Sequence, residues 1–388
     1  MPEFSPNRDL RLDFFRGLAL FLIFIDHIPE NILSYFTLQG VTSFDAAEVF
    51  IFISGFTAAL VYGRRLAVKG GIYMAAQVWR RAWQLYVAHI FLFVLFIAEV
   101  SYTVMTFKNP MYNEEMRVGE FLDEPHVAIV KALLLEFQPT FLDILPLYIV
   151  MLLIFPGILL GLARRPTGIL IASGLVYAWV QASGMSVPAY PEGHVWFFNP
   201  LAWQFLFVIG AALGLYYGQG GRFPGRLSRL AYPAAAVVFA VTVVIKITWT
   251  IHGVWDSFPG LFLRELWPVN KNNLSPLRLI PFLAVVVLVA ELVPVDARFL
   301  ASPAARPILA CGRQSLEIFC LSILLSALGH FVLSEYNSGL AMQLAVNAVG
   351  IAAMCLTAQL IDWYKTMDRI PMVQPAFSGR RRDDNAAE

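Results

Sequence analysis

Arg16 and His27 stand eleven residues apart in a run apolar enough to cross a membrane. At about 100° per residue, that spacing makes just over three helical turns, so both side chains share one face. Their axial separation is about 16 Å, roughly half of a bilayer's hydrocarbon core. A fixed cation near one membrane surface thus lies below a titratable imidazole buried partway across. Ionisable groups at such depth are costly and mark function. Asp26 adjoins the histidine, and Asp45 and Glu48 open the next apolar run three residues apart, on one helix face. The short connection makes these two helices neighbours. A carboxylate beside His27 would fix its tautomer and stabilise the imidazolium once it has taken a proton. The plainer reading is that His27 caps its helix and bonds a carbonyl.

Other polar groups in apolar runs are weaker candidates: His89, Glu99, His330, and Asp143 with Lys246, which suit polar substrate groups or each other. Arg313 and Glu317, four apart, read as a local pair. Ser54-Gly55 reads as a point of close helix approach rather than a nucleophile. Cys311, Cys320 and Cys355 show no metal-ligand spacing and read as packing residues, and no metal site is expected.

The elements that must position these groups are membrane helices. The 388 residues are 58% hydrophobic and only 14% charged, a balance that excludes a soluble globular protein. A formal net charge of +1 points to no nucleic-acid partner. Apolar runs predict an all-α, polytopic bundle of about ten spans, near 14–36, 45–62, 80–105, 140–163, 167–184, 199–218, 230–251, 276–293, 312–334 and 340–362. Segment 125–137 is apolar but too short to span and reads as interfacial or re-entrant. Residues 1–370 form one domain, and 371–388 are a polar tail expected to be disordered. Basic residues crowd alternate connections (Arg8, Arg11, Arg64, Arg65, Lys69, Arg80, Arg81, Arg164, Arg165, Arg222, Arg226, Arg229, Arg298, Arg306, Lys365). The opposite connections hold Lys108, Arg117, Lys131, Arg264, Lys271 and Arg278. The positive-inside rule then places both termini in the cytoplasm. Three connections on the other side, 29–44, 106–139 and 252–275, are longer than needed and hold aromatics, acids and amides that suit a polar or carbohydrate ligand, or packing over the helix ends.

Several of these stretches carry a family resemblance. Arg8-Asp9-Leu10-Arg11-Leu12-Asp13-Phe14-Phe15-Arg16-Gly17, continuing to Asp26-His27-Ile28-Pro29, is the most specific. Asp45-Ala46-Ala47-Glu48-Val49-Phe50, Ser54-Gly55-Phe56, Asn199-Pro200-Leu201-Ala202-Trp203-Gln204 and Gly312-Arg313-Gln314-Ser315-Leu316-Glu317-Ile318-Phe319 extend it. The chain resembles the OpgC family, whose members succinylate osmoregulated periplasmic glucans. That family is similar to a broader group of multispan acyltransferases in which an arginine followed eleven residues later by a histidine marks the active centre.

The resemblance implies a bacterial inner-membrane O-acyltransferase. The donor is an acyl-CoA, succinyl-CoA first, bound from the cytoplasm, and the acceptor is a periplasmic glucan. Arg16, with Arg64, Arg65, Arg80 or Arg313, is expected at the CoA phosphates, because guanidinium groups match phosphate geometry. His27 is expected as general base, oriented by Glu48 or Asp45 with Asp26 beside them. Asn199, Trp203 and Gln204 are candidate oxyanion donors. Lys246, Arg264, Lys271 and Arg278 are candidate partners for a succinyl carboxylate. Acetyl transfer to another surface glycan is the nearest alternative. A proton-coupled transporter is a different class, disfavoured because the sequence shows no paired halves.

Overall fold

The computed structural model describes residues 9–109, 111–221, 225–250 and 269–368. The tail 371–388, Arg8, Arg222 and Arg264 lie outside the described residues. Among those described, nearly everything is helical. The chain runs through α1 (Leu10–Asp26), α2 (Leu38–Val41), α3 (Ala46–Lys69) and α4 (Gly71–Phe107). Three short helices follow: α5 (Met111–Met116), α6 (Gly119–Asp123) and α7 (Pro125–Leu133). Then come α8 (Ile144–Arg164), α9 (Pro166–Ser183), a small antiparallel pair of β1 (Pro188–Ala189) with β2 (His194–Val195), α10 (Pro200–Gly218) and α11 (Gly225–Thr250). The described chain closes with α12 (Pro276–Leu292), α13 (Ala305–Arg313), α14 (Ser315–Glu335) and α15 (Leu340–Met367).

Seven of these helices are long and apolar enough to cross a membrane: α3, α4, α8, α10, α11, α14 and α15. That is fewer than the ten spans expected. The shortfall is α1, α9 and α12, which are 17, 18 and 17 residues long. At 1.5 Å per residue α1 and α12 rise about 25 Å, short of a roughly 30 Å hydrocarbon core. α9 is nearly as long as α10 and falls short in hydropathy instead, its apolar run diluted by Pro166, Thr167, Ser173, Gln181 and Ser183. The first apolar run, expected over 14–36, stops being α-helical at Asp26. His27 is the C-cap, its amide donating to the Ile23 carbonyl at 3.0 Å. Pro29 and Glu30, at a φ of 57°, then turn the chain into a 3₁₀ segment over Ile32–Phe36.

Two glycine-mediated contacts set the helices that carry the site. On α3, a Cβ at Gly55 would stand 2.2 Å from the Phe207 carbonyl oxygen of α10; Gly210 and Gly214 of α10 meet Phe52 and Phe56 as closely. The backbones therefore touch, and Ser54-Gly55 marks close approach, as read. On α1, Gly17 lies against Ile308, and Gly312 of α13 lies against Asp13. The Arg16-Gly17 and Gly312-Arg313 motifs are thus two sides of one packed crossing.

Candidate active site

Arg16 projects from α1 toward α3, where its Nη2 donates to Thr57 Oγ1 at 2.7 Å. Beside it lies a cavity of about 200 Å³, walled by α1, α3, α4, α8 and α14. Its lining runs up α3 from Tyr62 through Thr57 and Ser54 to Phe50, about 18 Å of helical rise. Arg81 of α4 lines the same cavity near Tyr62, and the Arg65 guanidinium covers the Tyr62 ring at 5.1 Å. The other end closes against aromatic rings: Phe50 lies 6.3 Å from Tyr148 and 6.0 Å from Phe319. Cations and hydroxyls thus line one end, and π-faces close the other.

Two residues beyond Phe50 on α3, the interior becomes charged. Asp45 and Glu48 form a capping box: Ala47 N–H donates to Asp45 Oδ1 at 2.8 Å, and Asp45 N–H to Glu48 Oε2 at 3.0 Å. The remaining carboxylate oxygens face cations. Arg278 of α12 donates from Nε to Glu48 Oε1 at 2.6 Å and from Nη2 to Asp45 Oδ2 at 2.9 Å. Lys271 Nζ reaches Asp45 Oδ2 at 2.7 Å. Glu48 is wholly buried and Arg278 is 8% exposed, so the charges neutralise each other away from water.

His27 stands in electrostatic reach of Lys271 and Asp45. Its ring stacks on Phe141, centroids 4.4 Å apart and planes 25° apart. Phe141 holds a φ of 73°, a left-handed conformation unusual for a bulky residue. The imidazole is therefore roofed by the connection before α8 rather than turned to lipid. Its Nδ1 is buried and, among the described residues, has no hydrogen-bond partner. His27 does cap α1, but through its backbone amide. The carboxylates expected to orient the ring are held elsewhere: Asp45 and Glu48 by Arg278 and Lys271, and Asp26 by the Thr37 hydroxyl at 2.6 Å. His27 is not among the residues lining the Arg16 cavity.

The structure separates the remaining expected residues. Arg64 and Arg80 are exposed. Arg81, one residue on and so turned by about 100°, lines the cavity, whereas Arg80 does not. Arg65 stays near the cavity mouth through Tyr62. Arg313 pairs with Asp362 of α15, its Nε donating at 3.0 Å, and so fastens α13 to the last helix. Among the amides and the indole, Asn199 Nδ2 donates to the Met185 carbonyl and to Asn273 Oδ1, both at 2.8 Å. Trp203 Nε1 donates to the carbonyls of Lys271 and Asn272. Gln204 Nε2 donates to the Ser173 carbonyl at 3.0 Å. Asn199 and Trp203 thus clamp the segment that carries Lys271, and Gln204 joins α10 to α9. Lys246 is half-buried on α11, with Asp45 and Arg278 in electrostatic reach. Arg278 and Lys271, expected as partners for a substrate carboxylate, pair with the protein's own acids. Asp45-x-x-Glu48 was their legible signal, since a buried acidic pair demands buried cations.

This arrangement defines a multi-pass membrane protein with a cation-lined cavity, a buried charged centre and, within electrostatic reach of that centre, a histidine under a loop roof. Residues 8–366 match the family described as OpgC protein, and the chain belongs to that family. Membership implies a transferase working in a membrane on a glucan acceptor. No curated protein matches the chain.

Proposed function

We propose that the protein moves an acyl group, succinyl first, from cytoplasmic acyl-CoA to a hydroxyl of a periplasmic glucan. The observation that carries this reading is the cavity on α3, with Arg16 and Arg81 along it and its far end two residues short of Glu48. In this reading Arg16, Arg81 and Arg65 hold the CoA phosphates at the cytoplasmic mouth. The pantetheine arm follows α3 upward and carries the thioester toward His27. At about 200 Å³ the cavity is smaller than most pockets that enclose a small molecule. Admission of the donor therefore requires the rings of Phe50, Tyr148 and Phe319 to part.

The chemistry follows from the charges. A sugar hydroxyl is a weak nucleophile, and His27 takes its proton as the oxygen attacks the thioester carbonyl. The carbonyl carbon gains the new C–O bond, and its oxygen becomes an oxyanion. The C–S bond then breaks, and the departing thiolate takes the proton back from the imidazolium. Asp45 and Lys271 both lie within electrostatic reach of His27. Lys271, about a quarter exposed, is the cation of this centre that can reach an incoming group and stabilise the oxyanion. Asn199 and Trp203 act indirectly, by fixing the segment on which Lys271 sits.

The test is vectorial transfer in sealed vesicles of the purified protein. Succinyl-CoA labelled in the acyl group is supplied at the face bearing Arg16, and a β-glucan at the opposite face. The reading expects label on the glucan and free CoA on the donor side. Label that stays wholly on CoA, or appears only when donor and acceptor share a face, contradicts it.

A further inference from the structure

We infer that the cavity between α5, α6 and the β1–β2 turn is the acceptor subsite, and that it takes pyranose units of the glucan. The inference rests on the acyl-transfer reading and adds the location of acceptor recognition. The cavity measures about 340 Å³ and lies at the His27 end of the bundle. Its volume falls in the range of sites that enclose a sugar-sized ligand.

Its chemistry is that of a saccharide site. Phe137, Tyr190 and Phe197 give it ring faces, which match the C–H faces of a pyranose. Asn113, Arg117 and Glu120 give it an amide, a fork of donors and a carboxylate, which match vicinal hydroxyls. Asn113 Oδ1 is buried and, among the described residues, has no hydrogen-bond partner. A buried acceptor left without a donor costs stability, and a ligand hydroxyl would meet the need. The frame is braced: Tyr190 N–H donates to the Glu136 carbonyl at 2.9 Å, and the rings of Phe137 and Tyr190 meet edge to face at 5.9 Å.

The cavity is also coupled to the charged centre. Phe197 lines it, and the same ring lies 5.4 Å from Lys271 Nζ, which pairs with Asp45. Arg117 lies in electrostatic reach of Asp143, and Asp143 in reach of Lys271. Phe141, whose ring covers His27, follows Phe137 by four residues in the same connection. A chain bound against Tyr190 and Phe197 thus lies against the ring that meets Lys271 and beside the connection whose Phe141 covers His27.

The experiment titrates full-length protein, in a detergent without a sugar headgroup, with a soluble β-glucan oligosaccharide and no acyl-CoA. Wild type is expected to bind saturably. Tyr190→Ala and the near-isosteric Asn113→Leu are each expected to weaken binding by about tenfold. Asn113→Leu leaves intact the backbone bond from Val118 N–H to the Asn113 carbonyl, so it tests the site even if Tyr190→Ala fails to fold. Unchanged affinity in a folded Asn113→Leu, or absence of binding in wild type, overturns the inference. A parallel titration with an alkyl glucoside separates a free glucan from a lipid-borne sugar: preference for the oligosaccharide supports the proposal, and preference for the glucoside overturns it. Acyl transfer to the glucan is measured in the same preparations. Transfer whose KM for glucan is unchanged in both variants rejects the subsite while leaving the enzyme reading standing. Oligosaccharide binding lost in both variants, without any transfer, does the reverse.

Discussion

Replacing Arg278 by Met is expected to destabilise the protein far more than a surface substitution would. The guanidinium sits at 8% exposure and makes charge-assisted hydrogen bonds of 2.6 and 2.9 Å to Glu48 and Asp45. Met keeps much of the side chain's length and apolar packing while deleting both bonds. Asp45 retains Lys271, but Glu48 keeps only the Asp45 amide and is left as a buried, unpaired carboxylate. Breaking a buried pair from one side costs about 3–5 kcal/mol, because the remaining charge has no solvent and no partner. Replacing both partners, as in Glu48→Gln with Arg278→Met, removes the stranded charge and is expected to recover most of that loss. The assay is equilibrium unfolding in mild detergent, read by tryptophan fluorescence, on wild type, both single variants and the double variant. A stability loss under 1 kcal/mol for Arg278→Met, or a double variant no better than the single, would refute the claim that Glu48 and Arg278 neutralise each other.

Three further outcomes are expected. Gly55→Leu drives a side chain into the Phe207 carbonyl 2.2 Å from its Cβ, which separates α3 from α10 and costs at least the 1–3 kcal/mol typical of overpacking; unfolding in detergent would show it. Arg81→Ala is expected to raise KM for acyl-CoA about tenfold with little change in kcat, because a phosphate contact away from the reacting atoms contributes uniform binding; initial-rate kinetics separate the two. The Tyr112 hydroxyl in α5 is held up to about 12 by burial and then by its bond to Glu335. Since the folded state favours the neutral phenol, this contribution to stability is complete below the ordinary tyrosine value near 10 and is lost as pH rises through 12. Tyrosinate absorbance that is missing from Tyr112→Phe would follow it; a Tyr112 that titrates near 10 contradicts the burial.

Much of the frame was legible because membrane helices announce themselves locally. Long apolar runs located α8, α9, α10, α12 and α14 to within about four residues, whereas α3 and α15 run on past their expected ends at 62 and 362 to Lys69 and Met367. The end of α1 was misplaced because apolar residues continue past Pro29, and hydropathy does not register a helix stop as backbone geometry does. That Arg81 rather than Arg80 lines the cavity follows from the phase of α4, which depends on which face meets α3 and α8, a tertiary matter. Arg278, Lys271 and Phe141 lie far in sequence from the Arg16–His27 motif. Their partners are fixed by how α12 and the segment before it meet the start of α3, and how the connection before α8 folds over the end of α1, which no local spacing encodes. Asn199 and Trp203 looked like loose donors; only the fold shows their hydrogens committed to segment 270–273.

The central claim is that His27 takes the proton of the acceptor hydroxyl. Its most direct test is the rate of labelled succinyl transfer from succinyl-CoA to a β-glucan by His27→Ala, measured beside wild type with both proteins folded and both binding acyl-CoA. A general base at this position contributes about 10²- to 10⁴-fold, so the variant is expected to retain at most about one hundredth of the wild-type kcat. A variant that transfers label as fast as wild type contradicts the account.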